Sequence, residues 1–179
     1  MFFKAPPHRN LYSERLVLRA PSFLDVDDVF DFCSDPDSCR FADWTPHKTK
    51  GETREFIAWL KRKTGERNYT WIIEHREEKK AIGTISIVDV DYSGKIFTVG
   101  YTLSKKYQHQ GYATEALKEL VNYLFKELFA QRIQAKVMPE NTASCRLLER
   151  VGFKNEGILK KGAFCKIECV DVYIFALVK

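Results

Sequence analysis

The sequence predicts a mixed α/β (α+β) fold, with a mostly antiparallel sheet of about seven strands and four helices. Two observations support this prediction. Three consecutive β-rich runs are joined by short turns, which favours an antiparallel meander, and two later helical segments alternate with strands. A chain of 179 residues without linkers, internal repeats or low-complexity segments is expected to form one domain over residues 1–179.

The N-terminal part of the chain is predicted to contain one strand and two helices. Residues 16–20 alternate between apolar and polar, as a strand does, and Ser22 is expected to cap a helix that runs to about Cys33. Residues 35–50 contain two prolines and lack periodicity, which indicates a loop. Residues 52–63 form the second predicted helix, because their apolar side chains fall on one side.

The middle of the chain supplies the meander. Its strands are predicted at residues 69–75, 81–90 and 96–103, separated by turns at 76–80 and 91–95. Turns this short join neighbouring antiparallel strands, so the sheet is expected to be antiparallel in this region.

The C-terminal half alternates helices with strands. Residues 111–128 show the clearest 3.6-residue period in the sequence and are predicted to form a helix. Asn141 is expected to cap another helix, which Gly152 ends. The strands of this half are predicted at residues 132–137, 153–159 and 170–178.

Composition excludes several classes of protein. Apolar residues make up 45% and charged residues 30%, a globular balance that excludes collagen-like, mucin-like and largely disordered chains. No apolar run approaches the roughly 20 residues that cross a bilayer, and residues 1–7 lack the apolar stretch of a signal peptide. We therefore expect no membrane partner and a cytoplasmic location.

The formal net charge of +5 is unevenly distributed along the chain. Residues 1–90 contain 15 basic and 15 acidic residues, so the whole excess lies in residues 91–179, which suggests an anionic partner. Direct nucleic-acid binding is not expected, because +5 is modest and no basic run interleaves with aromatic residues. The first half also contains an acidic cluster that comprises Asp25, Asp27, Asp28, Asp31, Asp35, Asp37 and Asp43.

The cysteines and histidines do not indicate a disulfide framework or a metal site. The five cysteines are an odd number without a CxxC pair, so reduced thiols are expected. The four histidines lack metal-ligand spacing, and no metal is expected. These residues are Cys33, Cys39, Cys145, Cys165, Cys169, His8, His47, His75 and His109.

Residues 107–114 join a predicted strand to the clearest helix and are the most informative segment. Gly111 and Ala113 are small, so a ligand can approach the backbone there, and the free N–H groups and dipole of a helix N-terminus attract anions. The segment lacks the GK[ST] ending of a P-loop and the three glycines of a dinucleotide motif. It therefore fits either a pyrophosphate site or an ordinary helix start without a ligand.

Residues 139–144 form a second informative segment. Asn141 follows a strand and begins a helix, so an N-cap is its simplest role. Ser144 lies three residues later, in the first helical turn, where its hydroxyl faces either a groove or solvent.

Together these segments resemble the Gcn5-related N-acetyltransferase (GNAT) superfamily, and within it the RimJ/RimL-like branch that acetylates the N-termini of ribosomal proteins. The resemblance covers residues 12–178 and implies a GNAT fold, in which splayed strands form an acetyl-CoA cleft. It rests on five stretches in the same order: residues 14–19, Gly100-Tyr101, residues 108–116, residues 141–144, and Gly152-Phe153 followed by Glu156-Gly157.

By this resemblance, acetyl-CoA binds between two neighbouring parallel strands, here residues 96–103 and 132–137, with Asn141 bonding the pantetheine arm near its sulfur. Gln108 replaces the commoner arginine at the start of the pyrophosphate loop. The backbone groups expected to pair with the pantetheine arm are those of Tyr101, Thr102 and Leu103. The residues expected to contact the pyrophosphate are Gln108, His109, Gln110, Gly111, Tyr112, Ala113 and Thr114.

The resemblance also implies direct attack of the amine on the thioester, with Ser144 as proton donor to the departing thiolate and a backbone N–H near Leu103 as oxyanion donor. Many relatives carry an acid just before the Gly-Tyr pair, and it is missing here. Asp89 and Asp91 are the candidate general bases, with solvation of a hairpin end as the alternative role for both. Cys145 has no evident histidine partner, which argues against an acyl-cysteine.

The expected function is therefore transfer of an acetyl group to a primary amine. An α-amino group, with a pKa of roughly 8, needs less help from a base than a lysine near roughly 10.4, which favours a protein N-terminus as acceptor. Acetylation of a small amine (a polyamine, aminoglycoside or amino-acid derivative) and coenzyme A binding without turnover stay open. Residues 34–50, which include Trp44, are expected to line the acceptor side, and a homodimer is left open.

Overall fold

The computed structural model describes residues 9–65 and 68–179. The described strands are β1 (Leu11–Tyr12), β2 (Leu16–Arg19), β3 (Tyr69–His75), β4 (Lys80–Asp91), β5 (Ile96–Leu103), β6 (Arg132–Val137), β7 (Lys154–Cys165) and β8 (Glu168–Val178). The described helices are α1 (Val26–Cys33), α2 (Lys50–Lys63), α3 (Tyr112–Lys126) and α4 (Thr142–Val151). Residues 1–7, for which no signal peptide is expected, and His8 lie outside the described residues.

The strands form one open sheet in the order β1-β2-β3-β4-β5-β6-β8-β7. Every neighbouring pair is antiparallel except β5 and β6, which are parallel. The predicted mixed α/β fold, with its antiparallel meander and four helices, is therefore confirmed. The expected number of about seven strands was one too low, because β1 is only two residues long and is too short to show an alternating pattern.

The β7–β8 hairpin is longer than the predicted strands at residues 153–159 and 170–178. The structure extends β7 to Cys165 and begins β8 at Glu168. The extension contains two lysines, a glycine and a register shift between Leu159 and Ala163, so the period-2 pattern is lost there. This hairpin forms one edge of the sheet.

Helices cover both faces of the sheet. On one face α3 buries a stripe that includes Ala116, Leu120 and Leu124, and burial of each leucine contributes about 1.5–3 kcal/mol. On the other face α1 and α2 form a smaller cluster with the sheet residue Ile72 and with Ala81. Among the helices of the described residues, none has the length and apolarity that a membrane span requires.

The parallel pair β5–β6 separates after three residues. The register joins Ile96 to Arg132, Phe97 to Ile133 and Thr98 to Gln134. At the last pair, the side-chain amide of Gln134 donates to the Thr98 hydroxyl over 3.1 Å. Beyond this point β5 stays paired with β4, and β6 stays paired with β8. A wedge therefore opens between β5 and β6, with α3 and α4 beginning near its wide end.

Candidate functional site

The loop that precedes α3 presents a row of free backbone donors. His109 and Gly111 have left-handed φ angles of 62° and 85°. Within the part of the chain that the structure describes, the six consecutive N–H groups of residues 109–114 donate to no protein acceptor. Consecutive amides of this kind, placed at the positive end of a 15-residue helix, are a candidate anion site.

The glutamines of the loop hold its shape through their side chains. The Gln108 amide donates to the Leu103 carbonyl over 3.0 Å, and the Gln110 amide donates to the Lys106 carbonyl over 2.9 Å. At the next turn, Arg150 of α4 donates to the Thr114 hydroxyl over 3.5 Å, which brings a guanidinium to the same anion site. The side chains shape the loop and leave its backbone N–H groups to face a ligand.

Arg15 fastens the loop to the turn between β1 and β2. Its Nη1 donates to the Gln110 carbonyl (3.1 Å), its Nε pairs with Glu115 (2.7 Å), and its guanidinium lies 4.3 Å from the Tyr112 ring centroid. Glu115 also accepts bonds from the Arg15 amide and the Ser13 hydroxyl. Burial raises the pKa of Glu115, but these donors outweigh burial and lower the pKa below its usual value.

His75 fixes the first residue of α3 from the opposite side. The Glu78 amide donates to Nδ1 of His75 (3.2 Å), which leaves the proton on Nε2, and Nε2 then donates to the Tyr112 hydroxyl (3.0 Å). The Tyr112 side chain is therefore part of the core, so only the backbone of this residue is available to a ligand.

Asn141 has the capping role that the sequence predicts. Its Oδ1 accepts from the Ser144 amide over 3.2 Å, which caps α4. Its Nδ2 donates to no other described residue, so the amide nitrogen is available to a ligand in the wedge. The cap therefore uses only Oδ1 and leaves the two N–H donors of Nδ2 uncommitted.

Ser144 and Tyr101 meet across the wedge. The Tyr101 hydroxyl, on β5, lies 2.7 Å from Oγ of Ser144, on α4. Burial raises the pKa of Tyr101 well above its ordinary value, and burial also raises the pKa of the neighbouring Cys145. A protonated thiol without a histidine partner among the described residues gives an acyl-cysteine no support.

Asp89 and Asp91 have different surroundings, although both lie at the end of β4. One oxygen of Asp91 accepts from the amides of Ser93 (3.0 Å) and Gly94 (3.2 Å) and from the Ser93 hydroxyl (2.6 Å), so it holds the turn. A register shift places Asp89 opposite Thr98, the last residue of β5 that pairs with β6, so it lies beside the narrow end of the wedge. The Asp89 side chain is exposed and has no hydrogen bond or ion pair with another described residue.

Residues 34–49 lie against the end of the β7–β8 hairpin. The Cys165 thiol lies 3.3 Å from the Ala42 carbonyl, and Lys166 donates to the Arg40 carbonyl over 3.4 Å. The ring centroid of Trp44 lies 5.3 Å from that of Phe56 on α2. The loop and the end of the hairpin therefore pack against each other and form one continuous surface.

Most of the acidic cluster serves the fold. Asp25 pairs with Arg19 and accepts from the Ser22 amide, and so completes the cap at Ser22, which begins a 3₁₀ turn (Phe23–Asp25) that leads into α1 and does not begin α1 itself. Asp28 accepts from the Ala81 amide over 2.9 Å. Asp27, Asp31 and Asp37 pair with lysines, and Asp35 accepts from Ser38.

Neither the Arg15–Glu115 pair nor the role of the Tyr101 hydroxyl has a local signal in the sequence. Arg15 and Glu115 lie 100 residues apart, and their stretches stand out only as parts of a family pattern. Among the described residues, no group of three or more His, Cys, Asp or Glu side chains could hold a metal ion.

Comparison with known proteins identifies the family. A family model described as an acetyltransferase (GNAT) domain matches residues 15–154. An uncharacterized N-acetyltransferase p20 of Bacillus licheniformis is 34% identical over 171 residues, covering 94% of this chain and 96% of that protein. The [ribosomal protein uS5]-alanine N-acetyltransferase of Escherichia coli is 35% identical over 86 residues, which are 47% of this chain and 44% of that protein.

Solved structures share the fold. A GNAT-family acetyltransferase from Bacillus anthracis has a TM-score of 0.82 and 29% identity, covering 95% of this chain and 98% of that one. The ribosomal L7/L12 alpha-N-protein acetyltransferase RimL, solved with coenzyme A, has a TM-score of 0.79 and 21% identity, covering 95% and 98%.

Proposed function

From the premise that the chain belongs to the GNAT acetyltransferase family, and is an N-acetyltransferase, we propose that it acetylates the α-amino group of a protein N-terminus of ribosomal type. Acetyl-CoA is the co-substrate of the family and supplies an acetyl thioester. The observation that carries the proposal for this chain is the wedge between β5 and β6, which leads to the six free N–H groups of residues 109–114.

The proposed coenzyme site follows the wedge. The backbone of Tyr101, Thr102 and Leu103 pairs with the pantetheine arm, and the free amide nitrogen of Asn141 bonds this arm near its sulfur. The residues proposed to cradle the pyrophosphate, mostly through backbone N–H groups, are Gln108, His109, Gln110, Gly111, Tyr112, Ala113 and Thr114.

The proposed chemistry is direct attack of a neutral amine in a ternary complex. Asp89, directly or through water, removes the proton of the amine, because Asp89 is free whereas Asp91 is committed to its turn. A backbone N–H near Leu103 stabilises the oxyanion. Ser144 donates a proton to the departing thiolate, and its position beside the wedge supports this role.

Two arguments support a protein N-terminus as acceptor. An α-amino group, with a pKa of roughly 8, is partly neutral at physiological pH, so a single exposed carboxylate is a sufficient base. In addition, the similar E. coli protein is named for acetylation of a ribosomal-protein alanine.

The test is mass spectrometry of candidate acceptors after incubation with the protein and acetyl-CoA, together with chromatographic detection of released coenzyme A. The panel contains ribosomal-protein N-terminal peptides, a polyamine, an aminoglycoside and free amino acids. We expect acetylated peptide α-amines. Acetylation of only small amines would overturn the acceptor, and coenzyme A binding without release would overturn the enzymatic function.

A further inference from the structure

The Ser144 hydroxyl is a weak acid, so it needs a neighbouring group that stabilises its oxygen if it is to protonate a thiolate. The first turn of α4 fixes the backbone of Ser144 through Asn141, but this bond uses the Ser144 amide and leaves the hydroxyl to rotate. Among the described residues, the side chain that contacts this hydroxyl is Tyr101, over 2.7 Å. Tyr101 lies on β5 and Ser144 on α4, so the distance between the two hydroxyls depends on how these elements are placed on either side of the wedge.

The direction of this hydrogen bond decides what Tyr101 can do. A serine hydroxyl has one proton, and the same proton cannot point at both Tyr101 and a ligand in the wedge. When Tyr101 donates to Oγ, the Ser144 proton is free to point into the wedge. Burial raises the pKa of Tyr101, so its phenol carries a proton at neutral pH and is able to donate in this direction.

We propose that Tyr101 positions Ser144 and acts as its proton-relay partner, an inference that rests on the proposed function. As the bond between carbon and sulfur breaks, sulfur keeps the electron pair and receives the Ser144 proton. The Ser144 oxygen receives the Tyr101 proton in the same step. The phenolate oxygen then regains a proton through water from the Asp89 carboxyl, which holds the proton removed from the amine, so the exchange balances.

The experiment compares Y101F, S144A and the double variant Y101F/S144A. The matched control is Y69F, which removes another buried tyrosine hydroxyl, one that donates to the Gly65 carbonyl over 3.0 Å. We expect Y101F to lower kcat by about 10- to 100-fold, the range for a hydrogen bond to a charged group. The KM for acetyl-CoA should stay within about twofold, and the double variant should match S144A.

The outcomes separate the relay from a structural role and from failure of the proposed function. Equal kcat for Y101F and the wild type, or multiplicative losses in the double variant, would overturn the relay. A large loss in Y101F with full activity in S144A would make Tyr101 itself the acid and overturn the proposal. Losses of kcat in Y69F as large as in Y101F would mean a structural effect. A wild type that binds coenzyme A without releasing product would instead reject the proposed function, and the relay with it.

Discussion

At the scale of single residues, one irregularity of β4 gives two similar side chains different uses. Asp89 and Asp91 are the same residue type, two positions apart, and the sequence offered both as candidate bases. The register shift between Ile87 and Asp89 places Asp89 opposite Thr98, while Asp91 closes the turn. A bulge leaves no sequence signal of its own, so only the structure could separate the two.

Replacing the two aspartates separately tests this difference. We expect D89N to lower turnover of an α-amine substrate about 100-fold at pH 7, because the base is lost, and the deficit should shrink above pH 8, where the amine is itself neutral. D91N should instead reduce the free energy of unfolding by about 1 kcal/mol, since it weakens the turn. Rate profiles against pH and urea unfolding measure these effects, and a larger kinetic loss in D91N would contradict the assignment of the base.

The glycine of the loop permits a second residue-scale test. Gly111 has a φ of 85°, and an added Cβ would lie 3.3 Å from Nη2 of Arg15. Gly157 has a φ of 136°, but an added Cβ there meets nothing within 4 Å. Both G111A and G157A should lower the free energy of unfolding, by about 1–2 kcal/mol for the left-handed Gly111. Only G111A should weaken coenzyme A binding, by about tenfold. Calorimetric titration checks this, and equal affinities in the two variants would argue against the loop as the pyrophosphate site.

At the scale of elements, Arg15 joins three parts of the chain: the turn between β1 and β2, the loop, and the first turn of α3. Its bonds to Gln110 and Glu115 leave the loop backbone pointing outward. The helix could be predicted from its period, whereas the small residues at its start left a pyrophosphate site and an ordinary helix start open. The fastening could not be predicted, because it depends on a contact between residues 100 positions apart.

Acetyl or coenzyme A derivatives of different length test whether Arg15 holds the loop in place. We expect R15A to weaken coenzyme A and 3′-dephospho-coenzyme A about tenfold alike, because both carry the pyrophosphate, and to leave the KM for acetyl-pantetheine, which lacks it, unchanged. The matched control is R76A, because Arg76 bonds the carbonyls of Ser13 and Glu14 in the same turn without a bond to the loop. A loss confined to coenzyme A itself would mean that Arg15 binds the 3′-phosphate and does not hold the loop.

At the scale of the whole molecule, charge links the two halves of the sequence. The first half is neutral and the second carries the +5, yet acidic residues of the first half pair with basic residues near the loop. Lys105 pairs with Asp37, and Lys106 with Asp31, just before the residues that present free N–H groups. Much of the acidic cluster is thereby committed, and the basic excess that remains suits a ligand with phosphates.

The order of elements was predictable because periodicity and short turns are local properties of the sequence. The strands of the meander, the long α3 and the caps at Ser22 and Asn141 all have such local signals, and the structure confirms them. The two-residue β1 and the extension of β7 through Lys160 and Gly162 depend on pairing partners elsewhere in the chain. The geometry of the site could not be predicted either, because it also depends on contacts between residues far apart in the chain.

The early separation of β5 and β6 has a consequence for the exchange of backbone protons with solvent. Every second amide of residues 99–103 points away from β4, into the wedge, where it lacks a strand partner among the described residues. In deuterated water these amides should exchange quickly in the free protein and slow down when coenzyme A is added, while β3 stays equally protected in both states. The three-residue ladder thus predicts fast exchange at the centre of the sheet, ordinarily its slowest-exchanging part, until coenzyme A is added.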